Sequence, residues 1–137
     1  MSALELAQSL IQIKSVSPYD EGCFDLIETA LVPMGFEIER IPELNCETLL
    51  AKFGDSGKVF CFLGHTDIVP SGPEEEWMSP PFEAKIIKGE LIGRGAADMK
   101  GSVAVFIESV KNFLKEHPKP NFQIWIMLTS NEEGEPE

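Results

Sequence analysis

Two apolar runs, residues 59–63 and 122–128, constrain this chain more than any other feature of its sequence. Short runs of this kind, rich in aromatic and β-branched residues, suit strands covered on both faces. They are far short of the roughly 18 residues that a membrane-crossing helix needs. Each run leads into polar residues: His65-Thr66-Asp67 follows Leu63-Gly64, and Glu132-Glu133 follows Leu128 by a few positions. Ligands of open α/β sheets bind beyond the carboxyl ends of the strands. The feature that predicts the sheet therefore also predicts where its chemistry lies.

The remaining sequence supplies helices and turns. Ser2-Ala3-Leu4-Glu5 is a capping box ahead of Leu6, Leu10 and Ile13, which predicts a first helix ending near Lys14. Phe24, Ile27, Leu31 and Met34 mark a second helix, closed by Pro33 and Gly35. Residues 36–41 alternate apolar and charged, as an edge strand does. Gly54-Asp55-Ser56-Gly57 between residues 48–53 and 58–63 reads as a hairpin-like turn. Residues 70–81 form a long loop, and residues 82–87 and 90–92 two short strands joined at Lys88-Gly89. Val103, Ile107, Val110 and Leu114 give the buried stripe of a third helix, from about Met99 to Lys115. The expected fold is α/β, a mixed sheet sandwiched by helices. The chain stops soon after a strand that a complete domain would cover. Residues 1–137 are therefore expected to be one part of a larger domain.

Charge and cysteine usage exclude several classes of partner. A formal net charge of −12 disfavours nucleic acid and anionic lipid. Cys23, Cys46 and Cys61 are odd in number and form no Cys-x-x-Cys pair, which suits thiols in a reducing compartment. The amino terminus lacks the basic flank and apolar core of an export signal, so a cytoplasmic protein is expected.

The chemistry-bearing residues form three clusters. His65 offers an imidazole suited to a divalent metal, with Asp67 close enough to orient it. Glu132 and Glu133 are adjacent carboxylates, costly to bury together without a cation. Asp98 closes the third cluster, residues 93–101, either as the N-cap of the third helix or as a metal ligand. Gly93-x-Gly95-x-x-Asp98 also approaches a dinucleotide fingerprint, but an aspartate replaces the third glycine and would repel a pyrophosphate. Glu74-Glu75-Glu76 reads as an exposed loop face, Trp77 and Phe82 as loop anchors, and His117 as a surface histidine.

Gly64-His65-Thr66-Asp67-Ile68-Val69-Pro70, Trp77 with Pro80-Pro81-Phe82, and residues 93–101 and 129–134 together resemble a metallopeptidase family. Its members include aminoacylases, acetylornithine deacetylase, related carboxypeptidases and succinyl-diaminopimelate desuccinylase. The resemblance implies the N-terminal part of a zinc-peptidase-like catalytic domain that uses two divalent ions, zinc or else cobalt or manganese. It implies that His65 binds one ion, Glu133 the other, and that Asp98 bridges them. It assigns Asp67 to support His65 and Glu132 to act as general base. The substrate would be a small N-acyl amino acid. The family's further metal ligands and its dimerisation domain have no counterpart in residues 1–137, so this segment alone is expected to be inactive. Asn131 stands where the family commonly has aspartate, at a position that is neither base nor ligand.

Overall fold

The computed structural model describes residues 1–134. The capping box forms as expected at the start of α1 (Ala3–Ile11): the Glu5 amide donates to the Ser2 hydroxyl, and the Ser2 amide to the Glu5 carboxylate. The box satisfies amides that a helix start otherwise leaves unpaired. Leu6, Ala7, Leu10 and Ile11 bury one face, and the helix ends at Ile11 rather than near Lys14. α2 (Cys23–Leu31) begins just past Asp20, whose carboxylate accepts the Gly22 and Phe24 amides at 3.1 Å. Pro33, which has no N–H to donate, sits in a tight turn over Val32–Met34 that closes this helix.

β1 (Glu37–Pro42), β2 (Glu47–Phe53), β3 (Val59–His65) and β6 (Gln123–Thr129) make one mixed sheet in the order β1-β2-β6-β3. β4 (Lys85–Ile87) and β5 (Glu90–Ile92) pair separately as a short antiparallel ribbon. β1 is the expected edge strand. Its Arg40 reaches Asp25 and Glu28 at 2.8 Å and Glu47 at 3.2 Å, tying the edge to α2.

The hairpin expectation is corrected. β2 and β3 do not pair, because β6 lies between them, antiparallel to β2 and parallel to β3. The connection crosses the start of β6 instead. Gly57, at φ +87°, passes so close to the Asn121 carbonyl that a Cβ there would clash with it. A β-turn signal shows where the chain reverses, but not whether another strand enters the gap.

All three helices pack on one face of the sheet, in a core with Leu49, Ala51, Ile124, Ile126 and Leu128. Full burial of such a side chain is worth about 1.5–3 kcal/mol. β3 departs from the expectation of cover on both faces: Phe60 is 58% and Leu63 70% exposed, whereas β6 buries alternate residues. The difference follows from position, since β6 is central and β3 borders the sheet. Among the described residues, no helix is long and apolar enough to cross a membrane.

α3 (Gly101–Glu116) buries Val103, Ile107, Val110 and Leu114 as expected, but it starts after Met99. Residues 96–100 form a wider turn in which Asp98 (φ −134°, ψ 93°) and Met99 (φ −137°, ψ 27°) are not helical. Asp98 is therefore not the helix cap; Lys100 occupies that place. Single wide turns of this kind are rare in helices and frequent at functional sites.

Candidate metal centre

The register of β3 with β6 builds the site. The strands run parallel with His65 opposite Thr129, so residues 65–67 and 130–133 leave the sheet side by side. His65 is 4% exposed. Its Nδ1 lies 2.9 Å from the Asp67 carbonyl oxygen. A carbonyl only accepts, so Nδ1 carries a proton, and the tautomer this selects for a neutral ring has its lone pair on Nε2.

That lone pair faces carboxylates: Asp98 Oδ1 at 3.1 Å, Glu132 Oε2 at 3.8 Å and Glu133 Oε1 at 3.9 Å. Donor atoms of His65, Glu132 and Glu133 all lie within 4.8 Å of one another. Partial burial, together with the Asp98 and Glu132 charges, pushes the Glu133 carboxyl above its ordinary value, against the pull of His65. One nitrogen lone pair and several converging carboxylates repel each other unless a positive charge joins them. This donor set, imidazole plus oxygen, fits a borderline or hard divalent cation such as zinc, cobalt or manganese.

Asp67 is wholly buried, and its two ends do different work. The main-chain carbonyl orients His65, while the carboxylate sits farther from Nδ1, at 3.4 Å. The carboxylate accepts instead from the Glu132 amide at 3.1 Å, the Glu133 amide at 3.0 Å and the Ser17 hydroxyl. Asp67 thus places both glutamates through their backbone, a role that sequence reading missed. Ser15, Ser17 and Ser130 were missed too. Ser15 Oγ donates to the Thr66 carbonyl at 2.8 Å, and Ser130 Oγ to the Pro18 carbonyl at 2.9 Å. The signal for Ser15 and Ser17 was a serine-containing loop with Pro18, and that for Ser130 its place between β6 and the glutamate pair.

The structure brings all five predicted residues together, His65, Asp67, Asp98, Glu132 and Glu133, from three separate stretches of chain. Glu132 and Glu133 lie at nearly equal distances from His65 Nε2, 3.8 and 3.9 Å. They differ in exposure: the Glu132 side chain is 57% exposed and that of Glu133 25%. Of the largest cleft, about 810 Å³, Ser17, Ser130 and Asn131 form part of the lining, but none of the five does. We place the chemistry at the donor cluster, because size alone assigns no reaction to a cleft.

The other motifs fall where expected or are set aside. Trp77 donates to the Ser71 carbonyl at 2.9 Å and lies under the Arg94 guanidinium at 5.0 Å, anchoring the long loop. Residues 74–76 are an exposed turn, and His117 is a surface residue against Phe113. Gly93 and Gly95 press on Ile11 and Ile68, so the glycines serve internal packing instead of opening a phosphate cradle.

A sheet with a histidine and carboxylates converging at adjacent strand ends is the architecture of a metallopeptidase-like domain. The family described as Peptidase family M20/M25/M40 matches residues 61–136, and the chain belongs to it. Among curated relatives, it is 47% identical over 131 residues to succinyl-diaminopimelate desuccinylase of Alkalilimnicola ehrlichii, covering 96% of this chain and 35% of that protein. It is 50% identical over 135 residues to the protein of the same name from Halorhodospira halophila, covering 98% and 36%. The chain thus spans about a third of the length of these relatives. In fold it is similar to human carnosine dipeptidase 1, with a TM-score of 0.79 and 23% identity over 96% of this chain and 32% of that one. An M20 family metallo-carboxypeptidase from Sulfolobus solfataricus gives a TM-score of 0.78 at 20% identity, over 93% and 30%.

Proposed function

We propose that this segment is the N-terminal part of the catalytic domain of a two-metal amide hydrolase that cleaves N-succinyl-diaminopimelate to succinate and diaminopimelate. The observation that carries the hydrolase reading is the convergence of the His65 lone pair with Asp98, Glu132 and Glu133. The substrate reading rests on the relatives' names and on Gly93-Arg94-Gly95-Ala96-Ala97-Asp98-Met99-Lys100-Gly101-Ser102, Val69-Pro70 and the Pro80-Pro81 pair, which resemble the desuccinylase most.

In this reading His65, Asp98 and Glu133 are the residues of this segment that would hold the divalent ions. Ions held there would supply Lewis acidity toward the scissile carbonyl. Glu132, the most exposed glutamate of the pair, takes the proton of the attacking water and returns it to the leaving amine. Asp67 keeps Glu132 in reach through its amide, and the Asp67 carbonyl keeps the His65 lone pair aimed inward. The complete protein is a cytoplasmic homodimer. Residues 1–137 alone turn over no substrate, because two metal sites need more ligands than three side chains offer.

The test is a zinc-supplemented assay of the full-length protein on N-succinyl-diaminopimelate and N-acetylornithine, with Glu132→Gln as blank. Faster turnover of N-acetylornithine would move the assignment to the deacetylase branch of the family.

A further inference from the structure

Asp98 is the least supported member of the site. Its side chain is 72% exposed, and among the described residues it meets other members of the site, His65 Nε2 at 3.1 Å and the Glu133 carboxyl through a hydrogen bond. Its place is therefore set by its neighbours in the chain. Met99 reaches across β3 just before the histidine. A Cβ on Gly64 would lie 2.9 Å from Met99 Cε, so the glycine leaves room for this side chain. Lys100 closes the turn from the other side, with its amide donating to the Gly95 carbonyl at 2.8 Å.

The Lys100 side chain then travels inward. It is wholly buried, and its Nζ donates to the carbonyls of Leu10 at 2.7 Å and Ile13 at 2.8 Å. Those carbonyls lie at the C-terminal end of α1, whose last turn contains no basic residue of its own. Among the described residues, no carboxylate lies within ion-pair distance of Lys100. A buried cation without a counter-ion is expensive. A methionine would fill the same space without that cost. What the ammonium adds is a directed bond between the end of α1 and the turn that bears Asp98, and helix ends favour such cations.

We propose that Lys100 is a positioning residue of this site: by capping α1 it locks the Asp98–Met99 turn at the level of His65 Nε2, and so sets the affinity of the site for its cation. The role rests on the metal-centre reading above. It is distinct from a general contribution to stability, because the cap joins two elements of which only one carries a site residue.

The experiment compares wild type, Lys100→Met and Ser2→Ala in the full-length protein. Ser2→Ala removes the cap at the other end of the same helix and controls for loss of α1 stability. Hydrogen exchange is measured on metal-free protein, zinc affinity by competition titration per folded molecule, and kcat and KM on N-succinyl-diaminopimelate. Loss of a group that orients a metal ligand costs about 10- to 100-fold in affinity. Lys100→Met should show that loss, a similar fall in kcat with KM little changed, and faster exchange at the amides of residues 100 and 101. Ser2→Ala should show none of these. If Lys100→Met does not fold, Lys100→Gln, which retains one donor, is held to the same criteria. Wild-type zinc affinity in the folded variant, or an equal loss in Ser2→Ala, overturns the positioning role alone. A wild-type protein that neither binds zinc nor hydrolyses the amide overturns the metal-centre reading with it.

Discussion

His65 and Asp67 have side chains 6% and 0% exposed, whereas Asp98 and Glu132, which converge with them, are 72% and 57% exposed. The buried pair is part of the fold: His65 Nδ1 is held by the Asp67 carbonyl, and both Asp67 carboxylate oxygens accept from neighbours. The exposed carboxylates take little part in the fold, and they crowd one another at some electrostatic cost. Glu133, at 25%, lies between the two groups and shows the strain in its raised pKa. The contrast teaches that one cluster can divide its labour. Inner residues spend their hydrogen bonds on geometry, and outer residues keep theirs for a cation and a proton.

Substitutions on the two sides should therefore fail differently. The largest effect is expected from Asp67→Ala, which leaves the Ser17 hydroxyl and the Glu132 and Glu133 amides without their acceptor. An unpaired buried donor costs about 1–3 kcal/mol, so thermal unfolding should move down by several degrees and turnover should vanish with it. Unchanged melting would break the comparison at its root.

Glu132→Gln should do the reverse. Activity of the full-length enzyme is expected to fall about 100- to 10,000-fold through loss of the general base. Melting temperature and metal content should stay near wild type. Glu133→Gln should instead lower bound metal, measured by elemental analysis after dialysis, with a smaller direct effect on proton transfer. The opposite pattern in the two variants would exchange the base and the ligand.

A smaller effect tests how far the buried frame extends. Burial raises the Asp20 carboxyl above its ordinary value of 3.8, against the Phe24 and Gly22 amides and Arg40, which lower it. A raised folded-state pKa means the folded form holds the proton more tightly. That contribution is complete below pH 3.8 and is lost as pH rises through the folded value. Relative to Asp20→Asn, wild type should thus lose stability on going from acid toward neutral pH. Parallel melting curves for the two proteins over that range would remove Asp20 from the frame.

Much of this was legible before any coordinates. The Ser2–Glu5 box, the amphipathic stripes and the polar residues after two apolar runs depend on neighbours within a turn or along a strand, where sequence spacing is spatial spacing. Four of the five candidate residues, His65, Asp67, Glu132 and Glu133, were singled out for that reason, because they follow recognisable strand ends; Asp98 was singled out by its glycine-rich turn. The pairing of the strands was not legible. The turn at residues 54–57 looked like a hairpin because nothing local records the insertion of β6, some 70 residues later.

The same limit hid how the site is held. Asp67 binds amides 65 and 66 residues away, and Lys100 binds carbonyls 90 and 87 residues away. By itself the sequence determined the element types, most of the core stripes and which polar side chains were candidates for the site. Only the tertiary structure decided that Asp98 leaves the helix, that Asp67 steers the glutamates through their backbone, and that Lys100 reaches α1. Each of these turns on a hydrogen bond whose two ends are distant in the chain. A directed bond of about 3 Å exists only once the sheet has brought those ends together.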